Sequence, residues 1–340
     1  MRMGALQQPV NAWTASRFPL VMRLMRSRTV VGKWLPRLYS ATNHAGPSPQ
    51  RGRHIGGWLT MDKHIDTCTL PLVAAGRARG GRPTQQDDLI CLHDPEQDAR
   101  LLVLADGMGG DGAGELASAG VVAVARRLWE QGLWREQPGA LFLETLCQDA
   151  HAELRERGRG LASGEPHSTV VALLMKGDRA YWAHVGDSRL YRFQGRRCLD
   201  CTEDHSVGQL KVRRGELAAD QLASDPAQHK LLRGLGGSQP PQVDHGGAML
   251  RPGQTFALCS DGVWESLSTH ELRRLTRRRD QHDALHEALA QAVKRGGESG
   301  DNVALIFARV GWNEWLSRCS RRLWPPRSGG VAGGRRDAAA

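Results

Sequence analysis

Short apolar runs that end at polar turn residues alternate along the chain with longer segments whose apolar residues recur at helical spacing. A strand, a turn and a strand begin near residue 66, and later runs predict strands over 88–92, 100–105, 168–175, 179–185, 189–193, 255–259 and 302–309. Helical spacing predicts helices over 118–132, 138–157 and 269–295. Because helices and strand meanders occur in separate blocks, the pattern favours an α+β fold of antiparallel sheets flanked by helices.

The basic charge of the chain lies at its two ends. The 340 residues carry a formal net charge of +10. Residues 1–60 hold nine Lys or Arg and no Asp or Glu, and residues 312–340 hold six Arg against two acidic residues. Residues 61–311 are therefore slightly acidic. A folded nucleic-acid-binding domain more often carries its positive charge on the domain itself, so we expect no nucleic-acid partner.

The cysteines favour a reducing compartment. There are seven, an odd number at irregular spacing, in a chain long enough to form a core without disulfide bonds. Reduced thiols and a cytoplasmic location fit this pattern best. Cys198 and Cys201 form a Cys-x-x-Cys pair with no second pair or His cluster nearby in the sequence to complete a zinc site. We interpret them as ordinary thiols, with a redox switch as the alternative.

The composition divides the chain into a central domain and two extensions. We interpret residues 1–60 as a disordered basic extension or as the result of a start assigned too early, with Met61 as the alternative start. Its first forty residues also resemble a transit peptide in composition. Acidic residues and strand-like patterning begin near Met61, so we place the domain at residues 61–311.

Residues 312–340 begin with a predicted amphipathic helix that precedes a disordered tail. Pro325 and Pro326 end the helix, and its arginines fall largely off the apolar stripe. Two interpretations remain open. The stripe packs on the domain as a terminal helix, or it makes a weak contact with an acidic membrane surface. The stripe consists of Trp312, Trp315, Leu316, Cys319 and Leu323.

Four aspartates flank apolar strands, each beside a glycine or another turn residue. They are Asp106, Asp187, Asp261 and Asp301. A single Asp-Gly pair indicates only a turn, but four at strand ends predict carboxylates gathered at one rim of a sheet. Such a cluster is costly unless cations lie between its members. Oxygen ligands favour Mg²⁺ or Mn²⁺ over zinc, and paired divalent ions suit hydrolytic attack at phosphorus.

The order of these motifs resembles that of the metal-dependent protein serine/threonine phosphatases, the PPM or type 2C family, in their shorter bacterial form. The resemblance covers about residues 66–310, and no single motif carries it. The motifs are Arg82 to Asp88 (RPTQQDD), Asp106 to Gly110 (DGMGG), His167 to Thr169 (HST), Gly186 to Arg189 (GDSR), Asp204 to Ser206 (DHS), His229 to Gly237 (HKLLRGLGG), Ser260 to Gly262 (SDG) and Gly300 to Asn302 (GDN).

The resemblance implies a four-layer α/β/β/α sandwich of two antiparallel sheets and a site for two Mn²⁺ or Mg²⁺ ions. Asp106 and the carbonyl of Gly107 would bind the metal pair. Asp261 and Asp301 would bind the second ion from the far side. Asp187, together with Asp261, resembles the ligands of a weaker third ion. A turn residue without a metal is the alternative for Asp187, because Gly-Asp-Ser-Arg also suits a hairpin corner.

Two further residues are implied in catalysis. Asp87 would hold a metal-bound water, and Arg82 would bind the phosphate, for which a planar guanidinium is suited. The alternative for Arg82 is a solvated loop charge. The chain departs from the family pattern at Gln85 and Gln86. Met108 stands where eukaryotic members often have a His proposed as the general acid, and Met cannot transfer a proton.

The resemblance implies hydrolysis of phosphoserine and phosphothreonine in proteins. The partner would be a phosphorylated protein, the substrate of a serine/threonine kinase. The alternative is a catalytically silent relative that acts as a regulatory or binding module. The presence of Asp106, Asp261 and Asp301 together favours an active enzyme.

Overall fold

The structure is a computed structural model, and it describes residues 58–62, 65–110, 112–159 and 165–311. Its strands are β1 (Trp58–Asp62), β2 (Ile65–Leu70), β3 (Val73–Ala78), β4 (Asp87–Asp94), β5 (Ala99–Met108), β6 (His167–Ser168), β7 (Val170–Lys176), β8 (Arg179–Val185), β9 (Arg189–Gln194), β10 (Arg197–Cys201), β11 (Asp244–Met249), β12 (Gln254–Cys259) and β13 (Val303–Arg309). Its α-helices are α1 (Ala113–Glu130), α2 (Leu133–Glu136), α3 (Gly139–Gly158), α4 (Val207–Arg213), α5 (Asp261–Trp264), α6 (Thr269–Thr276) and α7 (Gln281–Gly296). Short 3₁₀ helices cover Ala219–Ser224 and Gly297–Ser299.

The strands form two antiparallel sheets. The first has the order β11-β8-β7-β5-β4, with the short β6 paired to the end of β5. The second has the order β1-β2-β3-β13-β12-β9-β10. The chain leaves the first sheet after β8 and enters the second at β9 through a turn that contains Asp187. The predicted α+β fold of antiparallel sheets flanked by helices is confirmed.

Side-chain alternation along β5 explains why this strand appears as an uninterrupted apolar run. Leu101 and Val103 belong to the core that the first sheet forms with α1 and α3. Leu102 and Leu104 belong to the core between the two sheets. A third core lies between the second sheet and helices α6 and α7. Since both faces of each central strand are covered, the four layers need apolar residues at almost every position.

The prediction of one helix over 269–295 is wrong in one respect, because this segment forms two helices. Helix α6 ends at Thr276 and α7 begins at Gln281. The carboxylate of Asp280 accepts hydrogen bonds from the backbone N–H groups of His282 and Asp283, so it caps the start of a new helix. The strands β10 and β11 were not predicted. Both lie at sheet edges, and β11 carries two central glycines that conceal its pattern.

The predicted extensions lie almost entirely outside the described residues. Strand β1 begins at Trp58, three residues before the predicted domain start at residue 61, and pairs with β2. The interpretation of residues 1–60 and of 312–340 otherwise stays a prediction. None of the described helices combines the length and the apolar character that spanning a membrane requires.

Candidate metal centre

The pairing of β4 with β5 brings Asp87 and Asp106 together. The two residues are register partners at the ends of these antiparallel strands. Gly107, the next residue, donates its N–H to the carbonyl of Gln86 at 3.0 Å. A Cβ atom at Gly107 would lie 1.9 Å from the carbonyl oxygen of Gly114, so only glycine fits where this strand meets α1.

The second sheet contributes Asp261 and Asp301 from neighbouring strand ends. Asp261 begins α5 after β12, and Asp301 lies just before β13, the antiparallel partner of β12. In each case one carboxylate oxygen accepts the N–H of the next residue, at 2.6 Å for Gly262 and 2.7 Å for Asn302. These local bonds orient both side chains at the rim, and the second carboxylate oxygen of Asp301 accepts a hydrogen bond from Arg82.

Two polar residues link this rim to the first sheet. The hydroxyl of Ser260 donates to Oδ2 of Asp87 at 2.7 Å and accepts the N–H of Ala304 at 3.0 Å. The Oδ1 of Asn302 accepts the N–H of Gln86 at 2.7 Å. Both residues belong to motifs of the sequence, Ser260 to Gly262 and Gly300 to Asn302, from which no role was predicted for them. Ser260 and Asn302 lie far from Asp87 and Gln86 in the sequence, so no local pattern predicts these hydrogen bonds.

Asp187 lies in the turn between β8 and β9 and is buried. Its backbone carbonyl accepts the indole N–H of Trp264 at 3.0 Å, so α5 and this turn are held together. Burial raises the pKa of the Asp187 carboxyl well above its usual range, and the charges of Asp261 and Asp204 raise it further. Asp187 therefore occupies the hairpin corner and also faces the carboxylate cluster, so the structure is compatible with both interpretations of this residue.

The cluster is electrostatically unfavourable without positive charge. Burial raises the pKa of Asp106 and Asp87 well above the usual range, and the neighbouring aspartates raise both further. Burial and the charge of Asp301 raise the pKa of Asp261 to about 6. The Oδ1 of Asp87 is buried and has no hydrogen-bond partner among the described residues. Converging carboxylates with an unpaired buried oxygen fit divalent cations, which would supply the missing charge and ligand contacts.

Arg82 lies at the edge of the cluster. Its guanidinium is 2.7 Å from Oδ2 of Asp301, and its side chain is 52% exposed. The pair is therefore screened by solvent, and its free energy of interaction is small. The geometry places a fixed cation beside the carboxylates with donors still open to solvent, as a phosphate ligand would require.

Glu265 is a member of the cluster that the sequence analysis did not identify. One ligand atom each from His229, Asp261 and Glu265 lies within 4.8 Å of the others. Burial, followed by the charges of Asp261 and Asp301, raises the pKa of Glu265 to about 8. Glu265 follows Asp261 by one helical turn, and this spacing was the signal that could have identified it.

A second His-containing group lies nearby but has a structural hydrogen-bond pattern. His184, His205 and Asp244 also bring ligand atoms within 4.8 Å. The Nδ1 of His205 accepts the N–H of Gly186 at 3.2 Å, and its Nε2 lies 3.3 Å from a carboxylate oxygen of Asp244 and 3.3 Å from the guanidinium of Arg233. His205 is therefore engaged on both ring nitrogens, and it stacks on the buried His184 with 4.5 Å between ring centroids. The pair braces the turn that carries Asp187.

Comparisons with known proteins find similar sequences and structures. The sequence model described as Protein phosphatase 2C matches residues 75–299. A putative protein phosphatase 2C-type of Streptococcus pyogenes is 27% identical over 230 residues, which cover 67% of this chain and 93% of that protein. The serine/threonine protein phosphatase PstP of Mycobacterium tuberculosis is 31% identical over 221 residues, which cover 62% of this chain but only 40% of PstP.

A solved structure extends the comparison to the fold. The catalytic domain of PstP in complex with two manganese ions superposes with a TM-score of 0.60 at 27% identity. The superposition covers 70% of this chain and 97% of that domain.

Proposed function

Because the chain belongs to the protein phosphatase 2C family, we propose that it hydrolyses phosphoserine and phosphothreonine in proteins by means of a water held between two divalent cations. The observation that carries the proposal is the convergence of Asp87, Asp106, Asp261 and Asp301 from two sheets onto one rim. Oδ1 of Asp87 is buried there and has no hydrogen-bond partner within the described part of the chain. A rim of this kind can hold hard cations, but without them the repulsion between its buried carboxylates destabilises the fold.

The roles of the individual ligands remain part of the proposal. Asp106 and the Gly107 carbonyl would hold the metal pair, and Asp261 and Asp301 would hold the second ion. Asp187 would serve a weaker third ion. Two Mn²⁺ or Mg²⁺ ions at this rim would lower the pKa of a water between them and neutralise charge on the phosphate.

The protein side chains supply orientation. Asp87, which accepts a hydrogen bond from Ser260, would accept another from the attacking water and so direct it. Arg82, whose guanidinium lies 2.7 Å from Asp301, would bind the phosphate oxygens in both the ground state and the transition state. Met108 carries no exchangeable proton, so it cannot protonate the leaving serine or threonine oxygen.

The relatives are named as enzymes, and the complete carboxylate set argues against a catalytically silent module. The substrate would be a phosphorylated protein, and we infer a serine/threonine kinase as the opposing enzyme. We infer a cytoplasmic location from six free cysteines among the described residues. A membrane contact through residues 312–340 remains a hypothesis about a segment outside the described residues.

The test is release of phosphate from a phosphothreonine peptide by the full chain. We expect turnover with added Mn²⁺, little after treatment with excess EDTA, and recovery when Mn²⁺ is restored. Asp261→Asn serves as the inactive control, because it removes one charge from the proposed ligand set. Full activity in excess EDTA would contradict the proposed two-metal mechanism, and a folded, Mn²⁺-loaded chain without phosphatase activity would favour the silent module.

A further inference from the structure

A groove of about 530 Å³ opens beside the candidate metal centre. Met108 lines it, and Met108 directly follows Gly107 at the end of β5. His167, the register partner of Met108, also lines it, and most of the remaining wall is residues 231–242. Through Met108, the groove therefore adjoins the end of β5 that carries Asp106 and Gly107. Its volume is within the range of pockets that bind small ligands or short segments.

Backbone hydrogen bonds hold the wall of the groove in place. Leu235 and Ser168 exchange two of them, at 2.8 and 3.2 Å, which ties the 231–242 segment to β6. Leu232 donates its N–H to the carbonyl of His205 at 2.7 Å. Gly236 has a φ of +93°, and a Cβ atom there would lie 2.1 Å from the carbonyl oxygen of Pro166. A groove formed in advance of binding costs little conformational entropy when a ligand enters.

The groove presents an apolar side chain to solvent. Leu232 is 55% exposed, more than the two other exposed large hydrophobic residues of the described chain, Leu199 and Met249. A single exposed leucine is ordinary on a protein surface. Leu232 differs because it lines a groove together with Met108, Leu231 and two prolines. Polar residues complete the lining, and a groove that combines apolar side chains with a few polar groups is typical of a binding surface.

The charge of the groove is largely compensated. Among its lining residues, all of them in the described part of the chain, Arg233 is the only one with a fixed charge. Its guanidinium donates to Oδ1 of Asp244 at 2.9 Å. Arg82, by contrast, is exposed at the rim beside Asp301. The groove therefore suits an apolar side chain better than an acidic one.

From these observations we propose that the groove binds an apolar side chain of the substrate polypeptide that lies close to its phosphorylated residue. The proposal rests on the protein phosphatase activity proposed above and adds a sequence preference to it. Leu232 and Met108 would contact the apolar side chain while the phosphate is held at the metal centre. The remaining substrate chain would continue along residues 237–242.

The experiment compares phosphothreonine peptides that differ at one flanking position, which is either leucine or serine. Each position on both sides of the phosphothreonine is varied in turn, with the full chain and Mn²⁺. Burial of one leucine side chain predicts that, for at least one position, kcat/KM is about tenfold higher for leucine than for serine. p-Nitrophenyl phosphate, which has no flanking residues, is assayed in parallel to report on the chemistry alone.

Two variants test whether the groove causes the preference for leucine over serine in the peptide. Leu232→Ser should reduce the leucine-to-serine ratio of kcat/KM from about tenfold towards one, since it removes apolar contact area from the groove. Met249→Ser is the matched control, because Met249 is also exposed but lies on the edge strand β11 outside the groove. It should keep the wild-type ratio. Melting curves establish that both variants are folded before the ratios are compared.

Failure of this inference differs from failure of the proposed function. Hydrolysis of p-nitrophenyl phosphate and of every peptide without a flanking preference would overturn the inference and leave the phosphatase activity intact. If Leu232→Ser leaves the preference for leucine unchanged, the groove is not the cause of that preference. The absence of hydrolysis of any substrate by the Mn²⁺-loaded chain would contradict the proposed function, and the inference with it.

Discussion

The hydroxyl of Ser260 lies 2.7 Å from Oδ2 of Asp87, and this hydrogen bond joins the end of β12 in one sheet to the start of β4 in the other. Both side chains are buried, with Ser260 fully inaccessible to solvent. The bond lowers the pKa of Asp87, against the larger effect of burial that raises it. Ser260 thus helps to keep a buried carboxylate ionised for a cation.

Ser260→Ala should weaken metal binding as well as the fold. Loss of the hydroxyl leaves a buried carboxylate oxygen without its donor, which costs roughly 1–3 kcal/mol in free energy of unfolding. We expect the half-activating Mn²⁺ concentration to rise several-fold, because Asp87 is then protonated more readily. Thr255→Val is the matched control, since it removes a buried hydroxyl bond to Thr276 at the other end of β12. An equal change in Mn²⁺ activation for both variants would contradict a specific role for Ser260.

The contribution of Asp261 to the stability of the metal-free chain should fall as pH rises. The pKa of Asp261 is raised from its ordinary 3.8 to about 6, so the folded state binds this proton more tightly than the unfolded state. Stability is therefore lost as pH rises from about 4 through about 6. Asp261→Asn removes this contribution. In EDTA, its melting temperature relative to the wild type should increase between about pH 4 and pH 7.

Added Mn²⁺ at neutral pH should raise the melting temperature of the wild type more than that of Asp261→Asn, because the proposed cation binds the ionised carboxylates. The turnover of the variant should fall by roughly 100-fold or more. This loss is larger than the one expected when only a hydrogen bond to a metal-binding side chain is removed. A pH-independent difference in melting temperature would show that Asp261 does not titrate within the cluster.

Arg82→Ala should raise KM for a phosphopeptide by about tenfold and lower kcat less, since a phosphate ligand acts in both the ground and transition states. Arg79→Ala is the control within the same loop. Arg79 is exposed, and its guanidinium donates to the carbonyl of Pro83 at 3.2 Å rather than to the carboxylates. An unchanged KM in Arg82→Ala would support the alternative of a solvated loop charge.

Gly107→Ala should disrupt the metal centre through its backbone. A Cβ atom there would overlap the carbonyl oxygen of Gly114, and relief of such a clash costs roughly 1–3 kcal/mol or more. We expect a lower melting temperature and strongly reduced Mn²⁺-dependent turnover. Gly110→Ala provides the comparison, because no atom of the described residues beyond its chain neighbours lies within 4 Å of a Cβ atom at that position. If both variants lose Mn²⁺-dependent turnover equally, the loop as a whole limits activity, rather than the contact of Gly107 with α1.

Local patterns in the sequence were sufficient for several features of the molecule. Apolar runs ended by Asp-Gly or Gly-Asp identified the strands β5, β8 and β12 and placed Asp106, Asp187 and Asp261 at their ends. The turn chemistry and the apolar run act within a few residues, so they are readable without knowledge of the fold. The same reasoning missed the break between α6 and α7, because the capping role of Asp280 competes with a continuous helical pattern.

The sequence alone thus determined the types of the elements and the candidate carboxylates. The tertiary structure decided which of them meet and what else surrounds them. Gln86 and Asn302 are 216 positions apart, and Ser260 and Asp87 are 173 apart, yet each pair is hydrogen-bonded. The groove beside Met108 likewise depends on the pairing of Ser168 with Leu235. Such contacts are set by the packing of one sheet on the other and by strand register, and these depend on the whole core rather than on neighbouring residues.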